Sequence, residues 1–154
     1  MNSALLIASD HGGFALKEKL KIFLKKRGIR VKDLGAYSEE SCDYPVTAAA
    51  LAGLISRRRY RRGILICKSG IGNSIVANRF PGVRAALCCN RTAARLSREH
   101  NDSNVLVLGA SFSGAAEARK ITEIWMNTAF AGGRHERRLK IIVEIEKKIC
   151  GGRR

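Results

Sequence analysis

Long apolar runs are missing from this chain: none approaches the roughly 20 residues that a membrane-spanning helix needs. A basic leader is missing as well. Asp10 follows almost directly on Leu5-Leu-Ile-Ala8, so the opening reads as a first strand and not as a secretion signal. The five cysteines (42, 67, 88, 89 and 150) are odd in number and include no CxxC pair. Neither a disulfide framework nor a zinc site is signalled, and a reducing cytoplasm is the setting this implies. Cys88 and Cys89 close an apolar run and read as packing residues. Acidic residues are scarce, with 13 Asp and Glu against 29 Lys and Arg, a net charge of +16. That excess favours polyanions or phosphorylated small molecules as partners, and it says nothing about fold. Aromatics make up only 6% of the chain, and no zinc-finger, RNA-recognition or helix-turn-helix signature appears. Nucleic acid is therefore disfavoured, although the charge leaves it open. The basic stretches Arg57 to Arg62 and Arg134 to Arg154 read as solvated faces.

What is present is enough for one domain. A chain of 154 residues buries roughly 68–70% of its unfolded surface without disulfides or metals. Strand candidates recur at Leu5 to Ala8, Ile29 to Leu34, Gly63 to Cys67, Val83 to Cys88 and Val105 to Leu108. Helical patterns separate them. Phe14, Leu16, Leu20, Phe23 and Leu24 mark an amphipathic helix whose lysines 17, 19, 21, 25 and 26 fall largely on its wet side, and Gly28 stops it. Pro45 opens a helix from Val46 to about Arg58. Further helices are expected over Asn90 to Glu99, Gly114 to about Phe130 and His135 to Cys150. Such alternation predicts a single three-layer α/β/α domain, residues 1–150, with a five-stranded parallel, Rossmann-like sheet and a C-terminal helix. Residues 151–154 read as a basic disordered tail.

Ligands of such sheets bind at the carboxyl ends of the strands. Those ends carry Asp10-His11, Cys67-Lys68-Ser69 and Gly109-Ala110. The stretch Gly63-Ile-Leu-Ile-Cys67-Lys-Ser69-Gly70-Ile71-Gly72 runs a buried strand into a glycine-rich turn, with a helical pattern beginning at Ile75-Val-Ala77. An anion formed beside the amino end of a helix is stabilised, whether a thiolate, a phosphate or an enolate. Cys67 thus reads as functional. Two nucleotide motifs fail here. A P-loop would need glycine where Cys67 stands, and Ile75 occupies the third glycine position of a dinucleotide fingerprint. Two other polar groups await explanation: His100-Asn101-Asp102, and Arg134-His135 with Arg138. The arginines are four residues apart and share a helical face suited to a phosphate.

Several blocks in one order carry a resemblance covering nearly the whole chain, to about Ile149. They are Ser9-Asp10-His11-x-Gly13-Phe14, Asp43-Tyr44-Pro45, Cys67-x-Ser69-Gly70-Ile71-Gly72, Ala77-Asn78-Arg79, Arg95-Leu-Ser-Arg-x-His100-Asn101-Asp102 and Gly132-Gly133-Arg134-His135-x-x-Arg138. The chain resembles the B-type ribose-5-phosphate isomerases and the related galactose-6-phosphate isomerase subunits. The resemblance implies reversible conversion of ribose 5-phosphate to ribulose 5-phosphate, in the non-oxidative pentose phosphate pathway. It implies no metal and no cofactor, and a homodimer with its sites between subunits; pairing of dimers into tetramers stays open. On that pattern Cys67 is the base that moves a proton between C1 and C2 through a cis-enediolate, and Ser69 assists at the hydroxyls. Backbone N–H groups of Lys68, Gly70, Ile71 and Gly72, with Asn101, would stabilise the enediolate. Asp10 and His100 would open the sugar ring. His11, Arg134 and Arg138 would hold the phosphate, and Tyr44 would line the pocket.

Three positions depart from the pattern. Lys68 stands where relatives often have glycine, and Ser111 where they often carry an arginine near the phosphate. Loss of that arginine would weaken phosphate binding or shift specificity unless Lys68 compensates. Asn73 falls where a subset of the family places a glutamate base, and the presence of Cys67 puts this chain with the cysteine-based type. A six-carbon substrate, galactose 6-phosphate or allose 6-phosphate, is the enzymatic alternative. A basic nucleic-acid-binding protein on the same fold is the non-enzymatic one.

Overall fold

The computed structural model describes residues 3–151. Five strands form one all-parallel sheet: β1 (Leu5–Ser9), β2 (Val31–Asp33), β3 (Gly63–Cys67), β4 (Ala85–Leu87) and β5 (Val105–Gly109), in the order β2-β1-β3-β5-β4. Helices α1 (Phe14–Lys26), α2 (Tyr44–Ser56), α3 (Ile71–Ala77) and α4 (Arg91–Asn101) return the chain between strands, and α5 (Ala115–Asn127) and α6 (Arg134–Gly151) follow the last strand. The expected α/β/α architecture is present.

Strands β1, β3 and β5 are buried at every position, as central strands covered on both faces must be. Their alternate residues feed two cores. Leu5, Ile7, Ile64, Ile66, Leu106 and Leu108 pack with Leu16, Leu20 and Leu24 of α1 and Ile121 and Trp125 of α5. Leu6, Ala8, Leu65 and Val107 pack with Ala48, Leu51 and Ala52 of α2 and Ala77 of α3. Fully burying one such aliphatic side chain is worth about 1.5–3 kcal/mol.

The two edge strands are shorter than expected, three residues each and half-buried along much of their length. Each pairs on one side only, and the pattern of apolar residues extends beyond the hydrogen-bonded ladder. Helix α3 begins at Ile71, so Ile75 to Ala77 end it instead of beginning it. Helix α4 continues through His100 and Asn101, α5 stops at Asn127, and α6 starts at Arg134. Gly151 is the last turn of α6, and the rest of the expected tail, 152–154, lies outside the described residues.

Three side chains correct their expected settings. Lys17 is fully buried, not wet: its Nζ lies 2.6 Å from Asp33 Oδ2 and 3.2 Å from Glu18 Oε1. Lys21 shares the same Asp33 oxygen at 2.6 Å. Asp33 draws them in, sixteen and twelve residues away in sequence. Cys89 is exposed, because β4 ends at Leu87 and only Cys88 turns inward. Burial pushes the Cys88 thiol up to about 11. Arg62 is half-buried and donates from Nη1 to the Met126 carbonyl at 2.8 Å, so that end of the basic run is a packing residue.

Candidate active site

Asp10, just past the end of β1, and Cys67 and Gly109, the last residues of β3 and β5, stand at one edge of the sheet, the carboxyl edge. There the chain must turn at once, and small residues make the turns close. Asp10 is buried, and its Oδ1 accepts the Gly13 N–H at 2.9 Å, capping the short 3₁₀ turn His11–Gly13. A Cβ on Gly13 would stand 2.5 Å from the Ile66 carbonyl oxygen, so this turn packs directly on the β3 backbone. A Cβ on Gly12 would meet Lys68 Cβ at 3.3 Å and Asp10 Oδ1 at 3.5 Å, which puts Lys68 beside Asp10. His11 is exposed, and its Nδ1 lies 3.2 Å from both the backbone nitrogen and the carbonyl oxygen of Cys42.

Cys67 is 4% exposed. Its Sγ accepts the Gly70 N–H at 3.0 Å, a donor placed where it stabilises negative charge on sulfur. Gly70 makes this possible by taking φ +79°, the left-handed region that favours glycine. The amides of Ile71 and Gly72 open α3, where helix N–H groups lack intrahelical partners, and Ile71 N–H is 3.3 Å from Ser69 Oγ. The Tyr44 ring lies over Gly72, where a Cβ would come within 2.5 Å of it. Two backbone hydrogen bonds of 2.9 Å, Ala110 to Cys67 and Ser111 to Lys68, lock the loop after β5 to this turn. Lys68 and Ser111 are therefore neighbours. Asn73, in the first turn of α3, is fully buried with neither amide atom hydrogen-bonded.

The remaining predicted residues lie elsewhere. In a parallel sheet the helices run back, so a helix ends at the edge where the next strand begins. His100 and Asn101 end α4 just before β5 starts at Val105. They sit at the amino edge, with a five-residue strand, on the order of 15 Å, between them and the carboxyl edge. Asp102 in the left-handed region caps α4 and accepts Arg98 at 2.7 Å and Arg84 at 3.0 Å, while Arg84 Nε also donates to the Asn101 carbonyl at 2.9 Å.

Gly132 and Gly133, at φ +66° and +55°, turn the chain into α6 beside α4, and the Ala131 N–H bonds the Glu99 carbonyl at 3.0 Å. The His135 ring then stacks on His100. Arg134 and Arg138 are exposed on α6. Burial, then the charges of His100, Arg134 and Arg138, hold the His135 imidazole below its ordinary range. One chain thus brings together Asp10, His11, Tyr44, Cys67, Lys68, Ser69, Gly70, Ile71 and Gly72. It keeps His100, Asn101, Arg134 and Arg138 apart from them.

Sequence reasoning missed the close approach at Gly109, where a Cβ would lie 2.5 Å from the Ser69 carbonyl. A glycine closing a buried strand was its only signal.

A profile of the Ribose/Galactose Isomerase family matches residues 5–142. Ribose-5-phosphate isomerase B of Escherichia coli is 42% identical over 139 residues, covering 90% of this chain and 93% of that protein. The structure of Clostridium thermocellum ribose-5-phosphate isomerase B superposes with a TM-score of 0.92 at 47% identity, over 95% of this chain and 99% of that one. The Mycoplasma genitalium enzyme, solved with bound ribulose-5-phosphate, superposes with a TM-score of 0.90 at 38% identity, over 96% and 99%.

Proposed function

This chain belongs to the ribose/galactose isomerase family and is an aldose–ketose isomerase, and from that premise we propose that it interconverts ribose 5-phosphate and ribulose 5-phosphate with Cys67 as the base. The observation that carries this reading is the Cys67 thiol itself, buried at a strand end and receiving the Gly70 N–H at 3.0 Å. With the sugar open, the Cys67 thiolate takes the proton from C2, and the electron pair shifts to the C1 oxygen as a cis-enediolate. Returning that proton to C1, with the O2 proton passed to O1, leaves the ketone at C2. Ser69 Oγ stands beside the turn to assist at these hydroxyls. The amides of residues 68 to 72 stabilise charge on the enediolate oxygens, typically the largest single contribution in such sites.

Opening the furanose needs an acid–base pair, which we assign to Asp10 and His100. Because they lie at opposite edges of one sheet, His100 must come from a second copy, together with Asn101, Arg134 and Arg138. The proposed homodimer therefore shares each site between subunits. Helix α6 offers it an apolar face, with Ile141, Ile145 and Ile149 at least half exposed. His11, Arg134 and Arg138 hold the phosphate away from the reacting carbons and so supply positioning. The adjacency of Lys68 and Ser111 supports Lys68 as a further phosphate contact.

The test is conversion of ribose 5-phosphate by purified protein, wild type beside Cys67→Ala, with chelator present. Chelator-insensitive turnover that falls at least about 10²-fold in the variant is expected for loss of a positioned base. Turnover unchanged in Cys67→Ala would remove the thiol from the mechanism, and activity confined to six-carbon phosphates would reassign the substrate.

A further inference from the structure

A cavity of about 570 Å³ opens at the amino edge of the sheet, and none of its lining residues belongs to the proposed substrate site. Five arginines line it, Arg58, Arg61, Arg62, Arg84 and Arg98, against one acidic residue, Asp102. That carboxylate is already divided, with Oδ1 on Arg98 and Oδ2 on Arg84. The other partners of the fixed arginines are neutral. Arg62 bonds the Met126 carbonyl, Arg84 the carbonyls of Asn101 and Asp102, and Arg98 the carbonyls of Ser103 and Thr128. Carbonyls fix a guanidinium in place without cancelling its charge. Burial, then the neighbouring charge of Arg98, holds the Arg62 guanidinium below its ordinary range, with Asp102 acting against both.

Two arginines at the mouth are uncommitted. Arg58 and Arg61 are exposed and make no side-chain hydrogen bond or ion pair among the described residues. Arg58 takes φ +54° as the left-handed residue that ends α2, with the Arg59 N–H returning to the Leu54 carbonyl at 3.0 Å. Lys32, whose Nζ stands 5.5 Å from the centre of the Tyr60 ring, adds a further cation near the rim.

We propose that this cavity is a second anion site, taking a small molecule that carries two or more linked phosphoryl groups. One phosphate engages one or two guanidinium forks. Five arginines around one chamber, three fixed by hydrogen bonds and two without a side-chain hydrogen bond among the described residues, match a chain of phosphates better. The volume fits such a molecule, since small-ligand pockets commonly span about 300–1,000 Å³.

The test is calorimetric titration at fixed ionic strength with inorganic tripolyphosphate, and in parallel with ATP. Three proteins are compared: wild type, Arg58→Ala/Arg61→Ala, and Arg134→Ala/Arg138→Ala, with thermal melts to establish that each is folded. The expected result is one saturable site per chain, weakened at least tenfold in Arg58→Ala/Arg61→Ala and retained in Arg134→Ala/Arg138→Ala. Equal affinity for the two ligands would assign recognition to the phosphate chain, and tighter ATP would add a nucleoside contact. Binding lost only with Arg134 and Arg138 would place the anion at the substrate site and overturn the proposal. So would absence of saturable binding, or binding that an RNA oligonucleotide matches phosphate for phosphate. Because the readout is binding, its failure would leave the isomerase reading untouched.

Discussion

The imidazoles of His100 and His135 lie face to face, ring centres 4.2 Å apart and planes 10° from parallel. One ring ends α4 and the other begins α6, so the stack joins the two elements that carry the residues missing from the Cys67 edge. Two protonated rings at that distance repel, and Arg134 and Arg138 add to the field.

His135 is accordingly expected to titrate below the ordinary value of about 6.5. Between its folded and unfolded pKa values the unfolded chain binds more protons, so stability rises with pH there and is lost on acidification. NMR titration of the imidazole resonances would check this. A His135 midpoint at or above the free value would contradict the burial and charge arrangement described.

The proposed sharing of sites between subunits predicts complementation. His100→Ala and Cys67→Ala chains should each be inactive alone, and equal mixtures that exchange subunits should recover about a quarter of wild-type activity. Half of the dimers are then hybrids, and one of the two sites in each hybrid carries neither change. An inactive mixture with proven subunit exchange would show that His100 and Cys67 serve the same site from one chain.

Asp33 is the anchor of the buried lysine. Burial alone would raise its carboxyl, but hydrogen bonds from Lys17, Lys21 and the Gly35 amide hold it below the usual range. Its contribution is therefore complete above about pH 4 and is lost as pH falls through the lowered value. Asp33→Asn should cost roughly 3 kcal/mol, because Lys17 stays buried with only Glu18 beside it. Lys17→Met, which removes the buried charge itself, should cost less. Urea unfolding at pH 7 measures both, and the reverse order would refute the account.

Gly13 and Gly72 should respond differently to alanine. A Cβ at Gly13 meets backbone, the Ile66 carbonyl, which has nowhere to go. A cost of about 1–3 kcal/mol is expected. A Cβ at Gly72 meets the Tyr44 ring, which is 39% exposed and free to swing out. Gly72→Ala should keep its melting temperature while KM rises. A stable Gly13→Ala, or an unchanged KM in Gly72→Ala, would argue against these contacts.

Much of this was legible beforehand because local chemistry announces it. Val105 to Leu108 is aliphatic throughout, as a strand covered on both faces must be. Gly70 and Gly72 after Cys67 announced a tight turn at a strand end. The setting of Lys17 was not legible, since its polarity placed it in water and its partner Asp33 arrives from the end of strand β2. Nor could the sequence say that His100 and Cys67 stand at opposite edges. That follows from strand direction and order, and both come from the register of β1, β3, β4 and β5.

The direction of the strands has a further consequence. Every helix of a parallel sheet carries the chain back to the edge it left, so an isolated copy would hold the two halves of the proposed site at opposite edges. In the proposed dimer, turnover per chain becomes a function of how many chains are present. On dilution below the dissociation constant, specific activity should fade while each copy remains folded, and returning to higher concentration should restore it.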